Sequence, residues 1–127
     1  MSVYSKKGLI KTYTVAIGQN PVGKKQYEGD KKTPEGNYII FDKNPNSKYH
    51  KNLGISYPNE ADKATAKRLG KPPGGDVKIH GCNNKQTFIG KFQRWSDWTW
   101  GCVAVTNDEI DELYEHVSVG TPVTIMP

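Results

Sequence analysis

The chain has 127 residues, 18 Lys and Arg against 13 Asp and Glu, and a formal net charge of +5, which fits a single domain over residues 1–127. No apolar run reaches the roughly 18 residues that a membrane-spanning helix needs, and the opening MSVYSKKGLIK lacks the apolar stretch of a secretory signal, so a cytosolic protein or one with its signal removed is expected. The basic balance suits anionic partners such as nucleic acid, acidic lipid heads or an acidic wall polymer, but the lysines are scattered apart from Lys24–Lys25 and Lys31–Lys32, no nucleic-acid motif occurs, and a solvated surface is the favoured reading.

Taken in chain order, KTYTVAIG alternates. Tyr13, Val15 and Ile17 on one side and Thr12, Thr14 and Ala16 on the other predict a half-buried strand. The next segment, QNPVGKKQYEGDKKTPEG, is dense in turn residues and predicts a long loop. GNYIIFD, residues 36–42, is rich in β-formers and predicts a second strand. A short helix is expected over residues 60–69, started by Asn59 and Asp62, with Ala61, Ala64, Thr65 and Leu69 on one face and Gly70 placed to end it.

KPPGG then breaks the chain. DVKIHG predicts a third strand with Val77 and Ile79 on one face and His80 on the other, and Gly81 leaves the pleat. After Val103-Ala104-Val105, the Thr106-x-x-Glu109 capping box opens a second helix. Its stripe is Ile110, Leu113, Tyr114 and Val117, with Gly120 at its end. TPVTIM is a closing strand. Five or more strands and two short helices make a mainly β domain.

Two cysteines, Cys82 and Cys102, build no disulfide framework. His50, His80 and His116 fall at no zinc spacing, and neither metal nor cofactor is implied. A cysteine acts as a nucleophile when its thiolate is accessible and an imidazole takes the proton. Cys102 follows Thr99-Trp100-Gly101 at the mouth of a short apolar strand, and His80 ends another strand. Two neighbouring strands would bring them together. Gly101 would let backbone N–H groups approach a substrate carbonyl. Taken singly, each residue has a plainer reading: a small buried thiol, or a hydrogen-bonded imidazole. Cys82, two residues after His80, reads as a buried thiol, an oxidative partner of Cys102, or a side chain pointing away from the site.

Ile79-His80-Gly81, a spacer, then Thr99-x-Gly101-Cys102-Val103 resembles the signature H-G…[S/T]-x-G-C-[I/V] of the YkuD-type L,D-transpeptidases. Asp30 to Tyr38 resembles that family's T-P-x-G-x-[F/Y] segment. Leu53 to Asn59 and the run Cys-Val-Ala-Val-Thr-Asn resemble its YafK-like branch. The blocks occur in family order over nearly the whole chain.

The resemblance implies a β-sandwich-like domain with two short helices. It implies a cysteine L,D-transpeptidase acting on peptidoglycan stem peptides through a thioacyl-enzyme. By matching motifs, Cys102 is the nucleophile, His80 the acid and base, and the Gly81 carbonyl the group that orients the imidazole. N–H groups near Gly101 and Cys102 would bind the oxyanion, and Thr99 would hold the loop. Trp95, Trp98 and Trp100 either wall the cleft or fix the loop in the core. Tyr57 either lines the site or, with Pro58, ends a strand.

Many members carry His where Trp100 stands and Arg where Ala104 stands. The second departure removes a fixed positive charge near the nucleophile. The branch also includes hydrolases, so water as acceptor, or a non-catalytic wall-binding module, are the alternatives. Peptidoglycan peptides are the expected partners, with no nucleic acid and no membrane span, and the cell envelope or periplasm is the expected location. The oligomeric state is open.

Overall fold

The computed structural model describes residues 1–82 and 96–127. Among them are seven strands and two helices: β1 (Ser2–Ser5), β2 (Gly8–Thr12), β3 (Gly36–Ser47), β4 (His50–Ile55), α1 (Glu60–Arg68), β5 (Lys78–His80), β6 (Val103–Ala104), α2 (Asn107–His116) and β7 (Pro122–Ile125). The fold is thus mainly β with two helices, as the sequence predicts. A five-stranded sheet runs β6-β5-β4-β3-β7, and β1 and β2 form a separate hairpin. Within the larger sheet β5 and β6 are parallel, and the other neighbours are antiparallel.

The core follows from alternation. On β3, Tyr38 and Ile40 are buried while Ile39 and Phe41 face outward. Leu53 pairs with Ile79 and Ile79 with Val103, so one row of apolar side chains crosses three strands. This row joins Ile55, Val105 and the α2 residues Ile110 and Leu113 in one cluster, against which Tyr114 and Val117 pack. The α2 stripe is therefore the predicted one. Thr106 and Glu109 close the predicted capping box. The helix stops at His116, with Val117 as its C-cap. Gly120 is not its end but lies in the following turn, where its N–H bonds the Ile40 carbonyl.

Two expectations are corrected. Residues 11–18 do not form a regular strand. The ladder lies earlier, in the β1–β2 hairpin, and residues 16–18 make only single bridges, Ala16 to Ala104 and Gly18 to Thr99. Ala16, expected on the outer side, is fully buried, because it seals the outer edge of β6 through paired backbone bonds with Ala104 (3.0 and 2.8 Å). Val15 and Ile17 are only partly buried.

Helix α1 is rotated relative to its predicted face. Its buried residues are Asp62 and Ala66, whereas Leu69 is exposed. Asp62 sets the rotation. Its carboxylate takes the Asn59 N–H (3.0 Å) to complete the capping box and also the Tyr38 hydroxyl (2.7 Å). Periodicity counts apolar residues and misses a buried carboxylate with two donors. No helix among the described residues is long and apolar enough to cross a membrane.

Candidate active site

DVKIH places Val77 and Ile79 in the core, so strand alternation turns His80 to the opposite face. His80 pairs across the ladder with Asn52 on β4 and Ala104 on β6. The imidazole is buried there. The Tyr49 ring lies 4.4 Å from it, centroid to centroid, and Trp98 meets it edge-on at 5.8 Å. Tyr49 comes from the tight β3–β4 turn, between the paired residues Ser47 and His50.

The chain leaves β5 through Gly81, whose N–H bonds the Tyr49 carbonyl (3.0 Å). The Cys82 N–H then bonds Asn107 Oδ1 (2.8 Å) at the start of α2. A Cβ on Gly81 would stand 2.5 Å from that oxygen and 3.0 Å from the Tyr49 carbonyl oxygen. Only glycine fits this crossing without a shift.

His80 Nδ1 lies 2.7 Å from the Gly81 carbonyl oxygen. A carbonyl only accepts, so Nδ1 carries the hydrogen and Nε2 keeps its lone pair. Burial holds the imidazole below its ordinary pKa; the Gly81 bond works against that shift and the Lys78 charge adds to it.

Cys102 stands immediately before β6 and is half-buried. The β5–β6 ladder brings it next to the strand that carries His80, and alternation from Ala104 directs it to the same face. Its thiol donates to the Asp76 carbonyl (3.3 Å). Asp76 is a non-glycine residue in the left-handed region, at φ 54°, a conformation aspartate tolerates better than most. Burial pushes the Cys102 thiol up. The Lys78 N–H and ammonium pull it down, the Asp76 carboxylate raises it, and the Lys25 ammonium lowers it. Both shifts favour the neutral forms.

The loop before Cys102 is a polar clasp. Thr99 is buried, and its hydroxyl donates to the Cys102 carbonyl (2.7 Å) while accepting the Gly101 N–H (3.1 Å). The Thr99 backbone is stitched to residues 17–19 by bonds to the Ile17 carbonyl (3.1 Å) and from the Gln19 N–H (2.8 Å). Gly101 sits at φ 134°, and a Cβ there would stand 2.7 Å from the Lys32 carbonyl oxygen. Both the backbone angle and the close approach require glycine.

The aromatic candidates separate. Trp98 touches His80, as above. Trp100, two residues before Cys102, is 69% exposed, with Lys31 Nζ 5.1 Å from its ring. Trp95 lies outside the described residues. Tyr57 is in the core cluster, edge-on to Tyr38, and its hydroxyl donates to the Pro73 carbonyl (2.7 Å). It braces the segment that leads to Asp76. Cys82 and Cys102 are both thiols and are not joined in a disulfide.

Sequence reasoning missed Tyr49, Asn107, Asp76 and Lys25. None carries a local motif. Only the pairing of distant segments brings them to the site.

The sequence and the fold have counterparts among known proteins. The profile of the YkuD L,D-transpeptidase catalytic domain matches residues 1–125. The chain is 30% identical over 124 residues to YafK of Escherichia coli K12, assigned to the L,D-transpeptidases; the match covers 93% of this chain and 43% of that protein. The structure is similar to that of the helical cell shape determining protein Pgp2 from Campylobacter jejuni, with a TM-score of 0.65 at 30% identity, covering 87% of this chain and 36% of that one. An L,D-transpeptidase from Mycobacterium smegmatis shares the fold alone, with a TM-score of 0.62 at 14% identity, covering 99% of this chain and 53% of that one. This chain thus spans less than half the length of the YafK and Pgp2 chains. A match over residues 1–125 shows that the chain belongs to the YkuD family of L,D-transpeptidase catalytic domains.

Proposed function

We propose that the protein is a cysteine-dependent acyltransferase acting on peptidoglycan stem peptides in the cell envelope, with residues 1–127 as its catalytic domain. The observation that supports this reading is the parallel pairing of β5, which ends in His80, with β6, which Cys102 immediately precedes, together with the bond between His80 Nδ1 and the Gly81 carbonyl.

His80 Nε2 removes the thiol proton as the sulfur attacks the diaminopimelate carbonyl that is bonded to the D-Ala nitrogen. The S–C bond forms, the amide C–N bond breaks, and D-Ala leaves with the proton returned by His80. The Gly101 N–H is committed to Thr99, so the oxyanion falls to the Cys102 N–H. Exposed Trp100, with Lys31 over its ring, offers a flat, positively charged edge for the peptide. Tyr57 acts from below through the 73–76 segment.

The thioester then passes to an amine, giving a crosslink, or to water, giving hydrolysis. Incubation with purified muropeptides, read by mass, tests the reading. A joined or D-Ala-trimmed product from the wild type and none from Cys102→Ala is the expected result. Product from both would overturn it.

A further inference from the structure

Strand β6, Val103–Ala104, brings no charge to Cys102. A cation arrives from elsewhere. Lys25 lies in the long loop before β3 and is only 4% exposed. Its Nζ stands 3.7 Å from where a Cβ on Gly101, the residue before Cys102, would be. Asp30 holds it there at 3.1 Å.

The Asp30 carboxylate is itself turned into its own loop. It accepts the N–H groups of Gln26 (2.7 Å), Tyr27 (3.3 Å) and Lys32 (3.1 Å). Burial works to raise its pKa, but those N–H groups and the Lys25 ammonium outweigh burial and hold it below the usual carboxylate range. Three backbone dipoles thus absorb the anion on one side, and the ammonium faces Gly101 on the other.

Two further charges act on the thiol. Lys78 and Asp76 act on Cys102 with opposite sign and stand 3.8 Å apart, with the Asp76 side chain 96% exposed. Water reaches that pair, fully at Asp76 and in part at Lys78, whose side chain is 30% exposed. A buried ammonium is screened far less. His80 remains as the neutral proton acceptor.

We propose that Lys25 is the fixed cation of this site: its ammonium, clamped beside Gly101 by Asp30, stabilises the Cys102 thiolate as the S–H bond breaks and the proton passes to His80. The proposal rests on the reading of Cys102 as nucleophile, and it deepens that reading. It also explains why a loop of turn residues holds a buried ion pair, which costs desolvation wherever it does no further work.

The test is the pH dependence of Cys102 alkylation by iodoacetamide, with the labelled peptide located by mass, which needs no substrate. Lys25→Met should move the thiol upward and slow labelling at neutral pH by about threefold or more, since half a pKa unit is about threefold in thiolate. Lys25→Arg should label like the wild type. Lys25→Met leaves Asp30 unpaired and risks the fold, so the double variant Lys25→Met/Asp30→Asn carries the decision. It should recover thermal stability yet keep the slow labelling. A double variant that labels with the wild-type pH profile would reduce Lys25 to a packing role and overturn the proposal. Muropeptide turnover by Cys102→Ala reads the underlying reaction separately; if that variant stays active while the Lys25 variants still shift the thiol, the cation stands and the reaction assignment fails.

Discussion

The two halves of the site are held by different physics. His80 is set by a sheet ladder, stacked against Tyr49 and Trp98, and tied by one ring nitrogen to the next carbonyl. Cys102 is set by loops: a threonine clasp, a glycine under a lysine carbonyl, and a carbonyl from a residue at positive φ. A ladder with aromatic packing tolerates small changes, because many weak contacts share the load. A polar clasp concentrates it in a few bonds whose loss leaves buried groups unpaired. Variants in the two halves should therefore fail differently.

The largest effect marks the chemistry itself. Cys102→Ala should abolish muropeptide turnover with the thermal midpoint unchanged, because a small side chain replaces a thiol at a half-buried position. Next, His80→Ala should slow acylation by about 10²–10⁴-fold, the range for loss of acid–base help. Because burial lowers the imidazole, the acidic limb of kcat/KM should lie below the ordinary value of roughly 6.5. The basic limb should lie high because the thiol is raised, and both limbs belong to the pair jointly. His50→Ala is the control. His50 Nε2 pairs with Asp111 at 2.8 Å on a partly exposed surface, so its loss should cost under about 1 kcal/mol and leave turnover intact. A His50→Ala defect as large as that of His80→Ala would move the base to the wrong strand.

The comparison sharpens with one change in each half. Gly81→Ala drives a methyl into Asn107 Oδ1 and toward the Tyr49 carbonyl, at a cost of about 1–3 kcal/mol for overpacking. The shift should appear as a lower kcat, because the carbonyl that orients His80 moves with it. Thr99→Val keeps the shape but strips the Gly101 N–H and the Cys102 carbonyl of their partner, for about 1–2 kcal/mol. Thr99→Ser should restore most of that. Urea unfolding gives the stabilities, and alkylation rates report whether the thiol has moved. Equal alkylation in Thr99→Val and wild type would dissolve the claim that the clasp positions the nucleophile.

The same contrast explains what the sequence disclosed. The histidine half is written in short-range code: Val77, Ile79 and His80 alternate, and the capping box at Thr106 starts the helix that supplies Asn107. Both helices and the strands β3, β5, β6 and β7 were legible for that reason. The cysteine half depends on residues 16–33, which reach across the fold to Thr99 and Ala104 through backbone bonds and close on Gly101 through the Lys32 carbonyl and the Lys25 ammonium. Turn-rich composition predicts that such a segment is a loop, but not where the loop goes. The misread strand at 11–18 is the same limit in miniature, since single bridges lack the alternation of a ladder. Asp62, a buried carboxylate, misled the helix face because its value lies in two hydrogen bonds that no hydropathy pattern encodes.

The smallest expected effect probes how far the polar clasp extends. The Tyr57 hydroxyl donates to the Pro73 carbonyl, three residues before the Asp76 carbonyl that receives the Cys102 thiol. Tyr57→Phe leaves the ring in the core and removes one bond, so stability should fall by about 0.5–1.5 kcal/mol in urea. Burial pushes the Tyr57 phenol up to about 12, helped by the nearby Asp62 and Asp30 charges. A tyrosine with a raised folded pKa favours the protonated native state. Its contribution is whole below the unfolded value of roughly 10 and is lost as pH rises from there toward the folded value. Wild-type stability should therefore fall between those two values, with Tyr38 and Tyr13, also raised chiefly by burial, adding to the loss. Tyr57→Phe should flatten that alkaline slope and, if the brace reaches the nucleophile, alter Cys102 alkylation while leaving the acidic limb set by His80 in place. A variant that lowers stability but leaves the thiol untouched would end the clasp at Pro73 and confine it to the Thr99–Lys25 side.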